Sequence, residues 1–275
     1  MRTPRIFGQD NITVAAESSL SLDSGRFAND GDLPLHLHDV MIKGSPFVGV
    51  HIRSTRGIEW MKEPVPSLLL ANEFRGVDVP VSIAATLARL RRWRFRYPHI
   101  LAPHDALDIR LKNYLPETAS GAMVFHGYKD SRTPQVPSPV WAPRILSDSV
   151  IRSSTRITQY QFDPLKMRNW GDRPMCIHAI SLVALPNHEG SAPNQMLPNE
   201  VNDLFLKIRL GGNLWMQDDE PMPVAGMRSF WTSQIQIPDI WIKPDDTFYI
   251  TVQARDHAVV DMRTVMLAII GSVEV

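Results

Sequence analysis

The sequence lacks the features that mark most enzymes and secreted disulfide proteins. Cys176 is the only cysteine among 275 residues, which excludes an intramolecular disulfide and a zinc cluster built from cysteines. In an apolar strand it predicts a buried, inert thiol. The nucleophile motif Gly-x-Ser-x-Gly is absent, and Gly211-Gly212 predicts a turn between strands rather than a phosphate-binding loop. We therefore predict a protein that is not an enzyme, has no catalytic, cofactor or metal residues, and takes no small-molecule substrate.

The chain also lacks net charge and long apolar runs. Its formal net charge is zero, whereas a dedicated nucleic-acid binder is normally basic, so contact with nucleic acid is not favoured. Copies of a neutral protein meet little electrostatic repulsion when they pack together. Apolar runs such as Val265–Ile270 are too short to span a bilayer, and the first ten residues lack the apolar stretch of a signal peptide. These features predict synthesis in a cytoplasm without an export signal.

What the sequence does contain is a repeat of itself. Gly31–His38 returns as Gly171–His178 with glycine, aspartate, proline and histidine in the same places. Three further matches follow the same order along the chain, with offsets between 139 and 157 residues. Such collinearity predicts two copies of one domain. The three are Pro4–Phe7 with Pro143–Leu146, Ile52–Pro66 with Ile208–Pro223, and Pro98–Ile109 with Pro238–Ile250.

A proline-rich joint separates the copies. Residues 131–143 hold four prolines, which favour an extended, stiff connector. The predicted organisation is a first repeat over residues 1–133, a linker over 134–143 and a second repeat over 144–275.

Both repeats predict an all-β fold. Alternation of apolar and polar residues in Leu107–Leu111, and β-branched and aromatic residues in Thr247–Val252, are typical of strands. Turn formers separate the candidate strands, as in a β-sandwich or barrel. The other candidates are Leu35–Ile42, Val48–Arg53, Ala122–Tyr128, Cys176–Val183, Leu204–Leu210, Gln234–Ile237 and Thr264–Ile270.

One insertion distinguishes the first repeat. Trp60 and Pro98 are 38 residues apart, whereas Trp215 and Pro238 are 23 apart, so repeat one is about 15 residues longer. The extra residues fall around Pro80–Arg92, whose apolar spacing predicts a short helix.

An arginine-rich segment follows this insertion. Trp93, Phe95 and Tyr97 alternate with arginines, which predicts a strand with an aromatic and a cationic face. Arginine and tryptophan are frequent in protein interfaces, and arginine with aromatics also binds single-stranded nucleic acid. A plain amphipathic strand is the third interpretation. We favour a subunit interface made by Arg89, Arg91, Arg92, Trp93, Arg94 and Arg96.

Other polar patterns have simpler interpretations. His36 and His38 alternate on one strand and could face one ion, but no nearby glutamate completes a cupin-like ligand set and repeat two keeps only His178. We interpret them as surface or interface histidines. Asp105 and Asp245-Asp246 could bind calcium, but we expect them to cap turns. The acidic run 217–220 predicts a solvated loop.

Two tandem β-domains with a proline-rich joint and one insertion resemble the double jelly-roll coat proteins of icosahedral viruses. The resemblance implies two tandem jelly-roll barrels or sandwiches related by internal duplication, with one short helix in the first. It further implies a major capsid protein, as in a bacteriophage. Three chains would form a homotrimeric, pseudo-hexameric capsomer in the virion, with copies of itself and other virion proteins as partners.

Other functions remain open at this point. One is another phage structural protein, such as a penton, decoration, collar or tail protein. Another is a bicupin-like metalloenzyme, although no complete ligand set is present. A third is a carbohydrate-binding tandem β-sandwich, in which Trp60 and Trp215 would stack on sugars; core packing explains both tryptophans equally well.

Overall fold

The computed structural model describes most of the chain and shows an all-β protein. The described residues are 2–45, 48–71, 73–75, 90–114, 116–132, 139–157, 165–186, 204–211, 213–214, 222–223, 234–254 and 260–275. Every strand predicted from the sequence lies inside a strand of the structure. No helix in these ranges has the length and apolar character needed to cross a membrane.

Within the described ranges, the first half contains nine strands and one short α-helix. In chain order they are β1 (Arg2–Val14), β2 (Ser19–Ser21), β3 (Leu35–Gly44), β4 (Val48–Ser54), β5 (Val65–Pro66), α1 (Ser67–Leu70), β6 (Glu73–Arg75), β7 (Leu90–Leu101), β8 (Leu107–Asn113) and β9 (Ala119–Asp130). A 3-10 turn at Ser24–Phe27 inserts Phe27 into the core.

The second half repeats this series. Its strands are β10 (Trp141–Ile157), β11 (Leu165–Arg168), β12 (Met175–Pro186), β13 (Leu204–Leu210), β14 (Asn213–Leu214), β15 (Met222–Pro223), β16 (Gln234–Ile242), β17 (Thr247–Ala254) and β18 (Val260–Glu274).

The strand order of each half is that of a jelly roll. The first half pairs its strands as β1-β9-β3-β7 in one sheet and β2-β8-β4-β5 in the facing sheet. The second half pairs the equivalent strands as β10-β18-β12-β16 and β11-β17-β13-β15, and the short β14 also pairs with β13. Two facing sheets of four main strands connected in this order define the eight-stranded jelly roll. The chain is therefore a double jelly roll, and the two barrels share one topology.

Matching hydrogen bonds show the duplication at the level of single residues. In barrel one, the side-chain amide of the buried Asn29 donates to the carbonyls of Leu101 and Ala102, and its backbone carbonyl accepts from the His104 N–H. In barrel two, the side-chain amide of Asn169 donates to the Lys243 carbonyl, and its backbone carbonyl accepts from the Asp245 N–H. His104 and Asp245 both have positive φ, 61° and 67°. The same asparagine therefore secures the same turn in both barrels.

The insertion is only partly described. Residues 76–89, including most of the predicted helix Pro80–Arg92, lie outside the described residues. Its last residues, Leu90–Arg92, are not helical but belong to β7, because they pair with β6. The one described helix is α1, which the sequence analysis did not predict. In the predicted linker, residues 134–138 lie outside the described ranges, while Trp141–Pro143 are the start of β10.

The two barrels are joined along one continuous sheet. β7 of barrel one and β10 of barrel two run parallel and pair at His99 and Trp141. This pairing joins the two four-strand sets, together with β6, into one nine-stranded sheet. A second connection pairs Met61 with Ile145, whose N–H donates to the Trp60 carbonyl at 2.7 Å. We call the region where residues 60–70 and β7 of barrel one face β10, β12, β16 and β18 of barrel two the seam.

Trp60 is the centre of the seam. Its side chain is fully buried, and its ring contacts the rings of Trp93, Phe95, His99 and Phe125 at centroid distances of 4.9 to 6.4 Å. The buried apolar residues of both barrels form one hydrophobic cluster that includes Trp60. Core packing thus accounts for Trp60, and a fully buried ring cannot stack on a sugar; Trp215 lies outside the described residues.

We predict that Trp60→Ala lowers the free energy of unfolding by about 3–5 kcal/mol, the usual cost of deleting a buried aromatic side chain. Because the core is shared, both barrels should unfold at lower denaturant concentration in a single transition. Denaturant titration followed by circular dichroism measures this. Ile6→Ala is the control, since Ile6 is 70% exposed and its change should lie within about 0.5 kcal/mol. Two transitions, of which only one moves, would contradict a shared core.

Candidate functional site at the seam between the barrels

The arginine-rich strand β7 has two different faces at the seam. Trp93 is buried in the core, while Arg94 and Arg96 are exposed, as the predicted alternation requires. Arg91, two residues before Trp93, lies on the buried face: its side chain is buried and donates to the Gly44 carbonyl at 2.8 Å. Burial lowers the Arg91 pKa to about 10.

The predicted interface set is therefore divided. Arg91 and Trp93 are buried within their own chain, and Arg92 is engaged by Asp39. Arg89 lies outside the described residues. The interface hypothesis stays a prediction, and Arg94 and Arg96 are the members of the set with exposed side chains.

Bulges at equivalent positions bring polar groups to the seam. In barrel one, the ladder between β3 and β7 shifts so that residues 95–98 lie opposite His38 alone. In barrel two, residues 237–239 of β16 lie opposite His178 in the same way. A bulge turns side chains out of the regular alternation and re-aims them. Each bulge lies beside one cluster of arginine, aspartate and histidine.

The first cluster is centred on Asp39. Its carboxylate is buried and accepts from Arg92 at 2.5 Å and from His126 at 2.6 Å. Burial acts to raise the pKa of Asp39, but the hydrogen bonds from Arg92 and His126 outweigh it and lower the pKa. Asp39 therefore stays ionised and fixes β7 and β9 to β3 on either side.

The second cluster crosses from one barrel to the other. Asp239 of β16 places Oδ1 3.1 Å from His178 Nδ1, and its Oδ2 accepts from Arg96 of β7 at 3.4 Å. His178 Nε2 lies 2.9 Å from the Ser272 hydroxyl. Cys176, two residues before His178 on β12, has its sulfur 3.9 Å from His178 Nδ1.

Burial sets the protonation of this second cluster. Burial lowers the pKa of His178 despite the neighbouring Asp239, so the imidazole is neutral at physiological pH. Burial also raises the pKa of the Cys176 thiol, with Asp239 adding to the effect. The thiol is buried, as the sequence predicted, but its neighbours are polar.

A cavity of about 380 Å³ lies beside this cluster. Barrel one contributes β7 residues to its wall, and barrel two contributes His178, Gln234 and Ser272. Gln234 also donates to the carbonyl of Leu70 at 2.6 Å, which ties β16 to the helix α1 of barrel one. The cavity is therefore a gap between barrels and not the interior of either one.

His36 and His38 share one aromatic neighbour, Tyr128. Both rings stack on Tyr128, at centroid distances of 4.9 and 5.0 Å, and Arg2 covers that same tyrosine at 4.7 Å. The pKa values of both histidines are lowered, mainly by burial. They form an aromatic stack on the sheet.

The aspartates at the turns act as caps. Asp105 is buried and accepts from the Ala106 N–H at 2.9 Å, and Asp246 accepts from the Lys243 N–H at 2.7 Å. Both contacts confirm the predicted turn role. Asp245 instead pairs with Arg168 at 2.7 Å. The acidic run 217–220 lies outside the described residues.

Sequence reasoning missed the cluster around His178. The repeat match contained its signal, because Cys176 and His178 occupy the places of His36 and His38. Asp239 lies 61 residues further on, and only the pairing of β12 with β16 brings it to His178.

Comparison with known proteins finds only distant likeness. No protein-family model and no curated protein matches the chain. Among solved structures it is similar to the major capsid protein P2 of bacteriophage PM2, with a TM-score of 0.43, 9% identity, and coverage of 99% of this chain and 97% of that one. The PBCV-1 virus capsid gives a TM-score of 0.42 and 11% identity, with coverage of 99% of this chain and 94% of that one. A peptide-N(4)-(N-acetyl-β-D-glucosaminyl) asparagine amidase gives a TM-score of 0.38 and 8% identity, with coverage of 98% of this chain and 96% of that one. Because every score is below 0.5, the fold assignment comes from the strand order.

We predict that Asp39→Asn destabilises the protein by about 3–5 kcal/mol at pH 7, because it breaks a buried ion pair and leaves Arg92 uncompensated. Since the folded-state pKa of Asp39 lies below the ordinary 3.8, its contribution is present above pH 4 and is lost as the pH falls through the lowered value. The difference between wild type and variant should therefore shrink in acid.

Denaturant titrations of both proteins between pH 7 and pH 3 measure this difference. The control is Asp108→Asn, which removes an exposed pair with Arg53 and should cost no more than about 1 kcal/mol. Equal costs for the two variants at pH 7 would contradict the role given to Asp39.

Proposed function

We propose that the chain is a structural virion protein, the double jelly-roll major capsid protein of an icosahedral virus. The observation that carries the proposal is the union of two complete jelly rolls, side by side, in one continuous sheet. Because its two barrels are alike, the chain is a building block with approximate internal symmetry. Three such chains supply six barrels, and a near-hexagonal tile of this kind covers a surface. The virion, with copies of this chain and other virion proteins as partners, is the corresponding location.

The contents of the barrels support a structural role over an enzymatic one. A cupin-like enzyme holds its metal and substrate inside the barrel. In the described part of barrel one, that space holds fully buried apolar side chains, including Phe27, Leu37 and Phe125. In barrel two it holds Phe248 and others in the same way. Close-packed interiors leave the faces and edges of the tile for function.

The two ends of the nine-stranded sheet support ring-like assembly. β1 and β16 are its outermost strands, and an edge strand offers unpaired backbone groups to another chain. Ile6 on β1 is 70% exposed and Trp241 on β16 is 57% exposed, and these are the large exposed hydrophobic residues among those described. Unlike surfaces at opposite ends of a subunit form heterologous contacts, which close into a ring when the rotation between subunits allows it. A homotrimer is the ring that gives six barrels.

The test of this function is the state of the purified chain at micromolar concentration. Light scattering after size exclusion should give the mass of three chains, and electron microscopy should show six-lobed particles or shells. A ring of another order would move the protein to a vertex, collar or tail position of a virion. A monomer under all conditions that turns over a small molecule would refute the proposal.

We predict that Trp241→Lys reduces assembly at least tenfold, measured as the concentration at which half of the chains are assembled. A lysine at an interface would bury a charge in place of an aromatic surface. The variant should keep the circular dichroism spectrum and unfolding midpoint of the wild type, because Trp241 is largely exposed. Arg110→Glu is the control, since Arg110 is exposed on β8 of the other sheet. Unchanged assembly of Trp241→Lys would remove β16 from the interface.

The arginine hypothesis is tested separately with Arg94→Glu. Arg94 is exposed on β7, and reversal of its charge should weaken a subunit contact while the chain stays folded. Arg110→Glu is again the control. If Arg94→Glu assembles as well as the wild type, β7 makes contacts within its own chain only.

A further inference from the structure

The polar cluster of barrel two contains three potential metal ligands of different kinds. Cys176 sulfur, a ring nitrogen of His178 and a carboxylate oxygen of Asp239 all lie within 4.8 Å of one another. Cys176 and His178 are two residues apart on β12, and Asp239 comes from the bulge of β16. The sulfur and histidine are buried, while Asp239 is partly open to solvent.

The distances are close to those of a coordinated ion. In a tetrahedral zinc site the bonds are about 2.0–2.3 Å, so the ligand atoms lie about 3.3–3.8 Å apart. His178 Nδ1 is 3.1 Å from Asp239 Oδ1 and 3.9 Å from Cys176 sulfur. Small side-chain adjustments would place all three atoms around one ion, at the point where Nδ1 now meets the carboxylate and the thiol.

In two of the ligands, the polar atom that would not bind the ion already has a hydrogen-bond partner. His178 Nε2 lies against the Ser272 hydroxyl, which leaves Nδ1 to face the ion. Asp239 Oδ2 accepts from Arg96, which leaves Oδ1 for the ion. Metal-binding histidines and carboxylates typically have such outer partners, because these fix the tautomer and the orientation of the ligand.

We propose that Cys176, His178 and Asp239 form a zinc site at the seam between the barrels. A mixed set of thiolate, imidazole and carboxylate suits Zn²⁺, and water supplies the fourth ligand. On binding, the thiol loses its proton to solvent and the imidazole carries its single proton on Nε2, where it donates to Ser272. The ion ties β12 to β16 and, through Asp239 and Arg96, to barrel one. This inference does not depend on the proposed virion function.

The experiment measures metal binding to the purified full-length chain. After removal of metals with a chelator, isothermal titration with Zn²⁺ should give one site per chain. Co²⁺ should give the visible absorption of a tetrahedral site together with a thiolate-to-cobalt charge-transfer band. Bound zinc should also raise the unfolding temperature, because it binds only the folded arrangement.

Variants identify the ligands. Cys176→Ser should abolish the charge-transfer band, and His178→Gln and Asp239→Asn should each weaken zinc binding more than about tenfold. Asp239→Asn is a near-isosteric change at a partly exposed position, so it stays informative if a buried variant fails to fold. Ser272→Ala removes only an outer partner and should weaken binding by about 10- to 100-fold.

The control is His38→Gln, which changes the equivalent residue of barrel one and should leave zinc binding unchanged. No uptake of either metal would overturn the proposal. So would uptake that persists in both Cys176→Ser and Asp239→Asn, since the ion would then lie at another histidine. Because the readouts use single chains, a failure of capsid assembly would not affect them.

Discussion

The connection between Trp60 and Ile145 is the contact on which the two-barrel arrangement depends. A backbone hydrogen bond of 2.7 Å joins the chain after β4 to β10, while the Trp60 ring fills the space among the aromatic rings of β7 and β9. Since the buried residues of both halves form one cluster, neither barrel can bury its seam face without the other. The seam therefore makes a single cooperative unit from two copies of one domain.

The same seam creates the chemistry of the molecule. A polar group is buried there at the lowest cost when it finds a partner, because an unsatisfied buried group costs about 1–3 kcal/mol. The two bulged ladders satisfy this condition with Asp39 in barrel one and His178 in barrel two. Where barrel one has histidines in an aromatic stack, barrel two has a thiol, an imidazole and a carboxylate together. The duplication thus explains why both barrels have a bulge at the same position. The side chains beside the two bulges differ.

Several elements could be predicted from the sequence because their causes are local. Alternation gave Leu107–Leu111 as a strand, and its apolar residues are the buried ones. The repeat match of Gly31–His38 with Gly171–His178 identified β3 and β12 as equivalents. The end of the predicted helix failed at Leu90–Arg92, because pairing with β3 and β6 outweighs helix propensity there. Arg91 was assigned to a subunit interface, whereas the structure buries its side chain within the chain, where the guanidinium donates to the Gly44 carbonyl.

The sequence by itself determined that the chain is β-rich, duplicated and without the motifs of common enzymes. These properties follow from side-chain periodicity and from order along the chain. Only the tertiary structure decided which edges stay open, how the barrels join and which residues meet at the seam. Arg96 and Asp239 are 143 residues apart, and their contact depends on strand register and on bulges at both ends. Register is set by packing of the whole sheet, so no local pattern encodes that meeting.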